Sequence, residues 1–335
     1  MDPVRLSGPE FLSILETGEA FERIVGLECG AVVVAGDGLP DTVEAGPADD
    51  ARSAGRLGML PAVVIAVLSD PTRRPTWADV VVAPGSAELA TTLETVVANP
   101  LASVTLAVLL RDADRRTVAQ GLVAESMAYG ILQAGPEFAA WRRRVPVRQR
   151  PEADGPPVLV ERHRDRLEII LNRPHVHNAF SAPVRDGLLA ALQVAVVDPS
   201  VSSVVLRGSG ASFCSGGDLD EFGSRPDPAT AHLVRLQRSP ARVMAGLADR
   251  TEAHIHGSTV GSGIELAAFA GQVVAHPATR ISLPEVRLGL IPGAGGTVSL
   301  PRRIGRHATM LLAVGLDGVD AETARAWGLV DRVEE

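Results

Sequence analysis

The sequence predicts an α/β protein with mostly parallel strands, and three observations predict it. From residue 158 onward, short apolar runs alternate with segments of helical periodicity in a repeated strand-turn-helix order. Three turns in that half are rich in glycine and small residues: SFCSGGD at 212–218, GSTVGSG at 257–263 and PGAGG at 292–296. A stretch concentrating proline, glycine and charge, VPVRQRPEADGPP at 145–157, separates this half from the preceding residues.

The elements follow in order. In residues 1–150, segments 60–68 and 79–83 read as buried strands, and 87–97 and 117–132 have helical periodicity. After the linker, VLVERH and RLEIILNRP form a hairpin turning at Arg164 and Asp165. Ser181 caps a helix that starts with Pro183 and carries Leu188, Leu189, Leu192 and Val196 on one face. A strand over 202–206 leads into the SFCSGGD turn, then a long helical region through His232, Leu233, Leu236 and Met244. Strands are expected at 253–256, 273–275 and 281–283, a helix after Gly261, and two C-terminal helices around Leu311 and Ala324.

Composition bounds the function. The 335 residues are 46% hydrophobic, enough for a substantial buried core. The net charge is -8, from 32 basic against 40 acidic residues, and every basic residue is arginine. With no basic run, and 3% aromatic content for stacking bases, nucleic acid is not an expected partner. Two cysteines, Cys29 and Cys214, exclude a disulfide framework and a four-cysteine zinc site, and fit a reducing cytoplasm. The N-terminus has no apolar signal core, and no run reaches the roughly 18 apolar residues of a membrane helix, so no membrane is expected.

Chemistry concentrates between His256 and Thr297, where Glu265 and Glu285 each stand beside a glycine-rich turn. Glycine turns opening helices present free backbone N–H groups, and two carboxylates near such groups can move protons next to a carbonyl. Taken singly, Glu265 reads equally as a carboxylate on a helix dipole and Glu285 as a surface turn residue. Neither Ser215 nor Ser262 has the G-x-S-x-G elbow of a nucleophile, and Cys214 reads as a small buried thiol. His175 and His177 lack an acidic or cysteine partner for a metal, and of His254 and His256 at least one is expected to face the core. GLIPGAGGT has no phosphate-loop lysine and misses the dinucleotide pattern at Val298.

Together with LNRPHVHNAF at 171–180, these turns resemble the crotonase superfamily, the enoyl-CoA hydratase and isomerase family, over residues 157–333. The resemblance implies a crotonase-like spiral of ββα units and an enolate chemistry on acyl-CoA thioesters. By position in the family's motifs, the backbone amides of Ser215 and Ser262 form the oxyanion hole, although glycine is common where Ser262 stands. Glu265 and Glu285 match the two catalytic glutamates. Coenzyme A falls near His175, Val176, Asp218 and Leu219, as part of the substrate, with no metal or redox cofactor.

The reaction implied is hydration of a 2-enoyl-CoA, as in fatty acid metabolism. An isomerase, a thioester hydrolase or another lyase share the scaffold, and a non-catalytic acyl-CoA binder is the alternative of another class. A homo-oligomer is implied, a trimer or dimer of trimers. The catalytic core, 151–335, stops at GLVDRVEE without the helical tail that usually closes the family's chain, while 121–146 resembles that tail. The N-terminal α/β region, 1–150, is accordingly read as a degenerate crotonase-like copy whose helices supply the missing packing, with an unrelated α/β cap domain as the alternative.

Overall fold

The protein is described by a computed structural model over residues 3–17, 30–42, 58, 60–148, 155–224 and 227–335; Cys29 and positions 149–154 of the expected linker lie outside these. The N-terminal region begins with β1 (Val4–Ser7), α1 (Gly8–Thr17), β2 (Ala31–Ala35), β3 (Val63–Val67) and β4 (Val80–Val82). Its strands pair in chain order, all parallel. Both faces are apolar, as a covered parallel sheet requires. Side chains alternate along each strand, so Val33, Val63, Ile65, Val80 and Val82 join the main core. Val32, Val34, Val64, Ala66 and Val81 pack with Phe11 and Trp77 in a second cluster.

Four helices follow: α2 (Ala87–Ala98), α3 (Pro100–Arg111), α4 (Val118–Gln133) and α5 (Pro136–Arg144). Their boundaries are written locally. Ser86 accepts from the Leu89 amide at the start of α2, Pro100 opens α3, and Thr117 with Gln120 forms a capping box on α4. The Glu137 carboxylate of α5 accepts the Leu101 and Ala102 amides at 2.7 and 3.0 Å, closing the start of α3 from outside.

The C-terminal half holds a large six-stranded sheet and a small three-stranded one. The hairpin of β5 (Val158–His163) and β6 (Arg166–Leu171) turns at Arg164, whose φ is 58°. Next come α6 (Ala182–Val197), β7 (Ser203–Gly208), α7 (Pro228–Gln237) and α8 (Pro240–Gly246). Two further turns of the chain repeat one plan. β8 (Thr251–Ile255) lies in the large sheet, β9 (Ser258–Val260) in the small one, and α9 (Ser262–Ala267) follows. Then β10 (Gln272–Ala275) and β11 (Arg280–Ser282) do the same before α10 (Gly296–Val314), which is kinked at Gly305. β12 (Val319–Asp320), α11 (Ala321–Trp327) and β13 (Arg332–Val333) end the chain. This is the expected spiral of ββα units.

Some expectations change in detail. Ser181 caps α6 by accepting from the Val184 amide, but Val196 is exposed, and Val184, Leu188, Ala191, Leu192 and Ala195 form the buried face. The helical region after the SFCSGGD turn is two helices, because Ser239 caps a new one that Pro240 opens. Neither His254 nor His256 faces the core: Thr251, Ala253 and Ile255 take the inner face of β8. His254 instead meets Glu252 at 2.5 Å, and His256 meets the Gly210 carbonyl at 3.0 Å.

The N-terminal helices are part of the core. α10 packs against α2, α3 and α4, and one continuous apolar cluster runs from Ala31 to Val330. A buried charge cluster pins the same joint. Asp79, 3% exposed, pairs with Arg111 at 2.6 Å and Arg306 at 3.4 Å, while His307 meets the Pro75 carbonyl at 2.9 Å. No single helix among the described residues is long and apolar enough to cross a membrane, and the bent pair α2 and α3 that matches in composition belongs to this core.

Candidate active site

Three glycine turns and three helices border a cavity of about 490 Å³. Its wall includes Gly217, Ser262, Glu265, Glu285 and residues 293–295, closed by α7, α8 and the N-terminal α4. Glu265 is 2% and Glu285 8% exposed, so the two carboxylates predicted from sequence are buried in one space.

Each carboxylate rests on a glycine because nothing larger would fit. A Cβ added to Gly261, whose φ of +48° already disfavours other residues, would stand 2.1 Å from Glu285 Oε1. A Cβ on Gly296 would stand 2.9 Å from Glu265 Oε2. Glu265 Oε2 accepts the amides of Ala294 and Gly296 at 2.7 and 2.9 Å. Glu285 Oε2 is buried with no hydrogen-bond partner among the described atoms, and the residue lines the cavity.

A third carboxylate, missed from sequence, completes the group. Glu125 of α4 is 2% exposed; its Oε1 accepts the Gly295 amide at 2.7 Å, and its Oε2 accepts the amide and hydroxyl of Thr297 at 2.9 and 2.7 Å. One signal was available: Glu125 is the single charged residue in the sixteen residues of α4. Behind it, Arg235 lies over the Tyr129 ring at 4.7 Å and donates to the Ser126 hydroxyl at 3.0 Å.

Burial sets the protonation of all three acids. It pushes Glu125 and Glu285 up to about 7, with Glu125 adding to the shift at Glu285. Glu265 is raised well above the carboxylate range by burial, then by Glu285 and Glu125. The folded protein therefore keeps protons that an unfolded chain releases near 4.5. That stability is complete below the unfolded value and lost as pH rises through about 7. Burial holds His307 down at about 4, which works in the opposite direction below pH 6.5. Burial also raises Glu221 and lowers His254, so with four acids against two imidazoles the urea midpoint is expected to rise as pH falls from about 8 to about 6. A falling midpoint would contradict the acids' burial.

The first expected amide donor needs correction. Ser215 donates its amide to the His177 carbonyl at 2.9 Å, and its hydroxyl meets the Val176 carbonyl at 3.4 Å. It is turned into the 174–178 loop rather than toward the cavity. Gly217, two residues on, lines the cavity instead. Its neighbours hold it there: Phe180 donates to the Gly216 carbonyl and accepts from the Asp218 amide, so the Gly217 amide between them faces the other side of this extended segment. Ser262, the second expected donor, is on the cavity wall as the first residue of α9, where helix amides lack internal partners.

The four residues expected near coenzyme A do not line the cavity. His175 is exposed on the short turn Pro174–Val176, while Val176 is buried. The Asp218 carboxylate is tied to Arg173 at 2.9 Å, and the Leu219 carbonyl accepts from Arg142 of α5 at 2.6 Å. These last two serve the fold. Cys214 is 1% exposed, and burial pushes its thiol up to about 11, in keeping with a packing role. No cluster of metal-ligating side chains occurs among the described residues.

With this geometry in place, comparison decides the family. The model for enoyl-CoA hydratase/isomerase matches residues 163–334, half of the chain. The chain belongs to the enoyl-CoA hydratase/isomerase family. It is similar to the 2,3-dehydroadipyl-CoA hydratase of Escherichia coli, 34% identical over 176 residues that cover 52% of this chain and 68% of that one. The peroxisomal bifunctional enzyme of Danio rerio is 37% identical over 169 residues, 50% of this chain, and the match spans only 22% of that relative's length. A solved structure from Mycobacterium abscessus, studied as a candidate enoyl-CoA hydratase/isomerase, covers 53% of this chain and 70% of its own at 31% identity and a TM-score of 0.50. The family match begins after residue 162, so the helix carrying Glu125 lies outside it.

Proposed function

We propose that this enoyl-CoA hydratase/isomerase family member processes acyl-CoA thioesters and hydrates a 2-enoyl-CoA to the 3-hydroxyacyl-CoA. The observation that carries the reading is the burial of Glu265 and Glu285 on the wall of the cavity that Gly217 and Ser262 also line. The thioester oxygen accepts from the amides of Gly217 and Ser262. As the enolate forms, both donors gain strength, and one such donor is worth roughly 10²- to 10³-fold in rate.

Glu265 takes a proton from a water whose oxygen bonds to C3, and Glu285 delivers its proton to C2. A proton passed from Glu265 to Glu285 then resets the pair. Burial raises both acids, so the pair holds a proton near neutral pH, as a couple with one member protonated and the other ionised requires. His175, exposed beside the SFCSGGD turn, remains a candidate for the nucleotide end of coenzyme A. The chain is proposed to act as a homo-oligomer in the cytoplasm.

The test is turnover of crotonyl-CoA by the full chain, read as loss of enone absorbance with 3-hydroxybutyryl-CoA as product. Tight binding without turnover would replace the hydratase with an acyl-CoA binder. Conversion of a 3-enoyl-CoA in place of hydration would make it an isomerase.

A further inference from the structure

We propose that Glu125, supplied by the N-terminal region, is a positioning residue of the acid-base pair: it fixes the glycine turn that holds Glu265, as a third carboxylate in the buried space the pair shares. The inference rests on the hydratase reading and deepens it.

Four successive amides carry the argument. Those of Ala294 and Gly296 point to Glu265 Oε2, and those of Gly295 and Thr297 point to the two oxygens of Glu125. The segment is strung between two carboxylates, one on each side, in strict alternation. A displacement of Glu125 must move the turn, and the turn is what Glu265 leans on. An ordinary helix cap would need one acceptor; here α10 begins with two, and both line the cavity.

Charge adds to geometry. The groups facing Glu125 are Glu265 from α9, Glu285 from the turn before α10, Thr297 from α10, and Tyr129 from its own helix. Arg235 of α7 is the nearby cation, and it spends its donors on Ser126, which also meets His232 Nδ1 at 2.8 Å. Arg235 makes no ion pair within 4 Å among the described residues, so it offsets the charge of Glu125 only from a distance, and that charge still acts on the other two acids. Like charges in a buried space disfavour each other's ionisation. Removing that charge lets Glu265 and Glu285 ionise at lower pH.

The experiment compares the full chain with Glu125→Gln and Thr297→Val. Crotonyl-CoA turnover is measured against pH, and carboxyl protonation is titrated without substrate by infrared spectroscopy. Glu125→Gln is expected to lose about 10²-fold in kcat, the scale of a small misplacement of a reacting group, with KM within a few-fold. The limb where the protonated acid is lost should move down by about one pH unit. Thr297→Val, which removes one hydroxyl donor and keeps the amide, should lose kcat to a smaller extent. A Glu125→Gln protein with the kcat and pH profile of the unaltered chain overturns the proposal, as does one that only melts lower. If the unaltered chain does not hydrate crotonyl-CoA, the function fails and the infrared titration decides on Glu125 alone: unchanged midpoints for the remaining acids overturn it.

Discussion

Glu285→Gln is expected to cut crotonyl-CoA turnover by about 10²- to 10⁴-fold, the range for removing a positioned general acid or base. Glutamine keeps the shape of the side chain and cannot release the proton that C2 requires. KM should change little, because the thioester oxygen is held by backbone amides. Stability should stay level or rise. Glu285 Oε2 is a buried acidic oxygen without a partner, and replacing it with a neutral group removes the cost of holding charge there. Urea unfolding above neutral pH is the sensitive readout, since that is where the acid, raised to about 7, is ionised in the native state. Turnover within a few-fold of the unaltered protein would sink the acid role.

Asp79→Ala should destabilise the fold by about 3–5 kcal/mol, the penalty for breaking a buried ion pair and stranding its partner. The Arg111 side chain is 4% exposed and would keep its charge beside the Leu60 and Ala62 carbonyls after losing the Asp79 carboxylate. Arg306, on the helix that starts at the active-site turn, would lose the same carboxylate and keep the Thr76 carbonyl. Burial by itself would raise the Asp79 carboxyl, but Arg111, Arg306 and the Val64 amide outweigh it and hold it below the usual range. With the folded value depressed, this stability is present above the unfolded pKa of about 4 and lost as pH falls through the lower folded value. A urea measurement at neutral pH giving less than about 1 kcal/mol would mean that the joint is solvated and the pair adds no more than a surface bridge.

Both predictions concern residues whose surroundings come from far along the chain, and this separates what could be read from what could not. Glu265 and Glu285 were legible because each sits beside its own glycine turn, and local sequence carries the turn and the acid together. The oxyanion donor was misplaced by two residues, from Ser215 to Gly217, because the direction of an amide depends on which neighbour pairs with the segment. Here Phe180 takes the Asp218 amide and His177 takes that of Ser215. The boundary expected near 150 rests on a change in composition, and the apolar cluster includes residues on both sides of it.

By itself the sequence determined the α/β class, most of the strands and helices of the C-terminal half, and the glycine turns beside the two acids. Those features follow from periodicity, caps and glycine positions a few residues apart. Only the tertiary structure decided that α4 closes the cavity and that Glu125 meets an amide 170 residues away. Burial and charge coupling between distant segments arise when the chain packs, and no local pattern encodes which helix face will meet which turn.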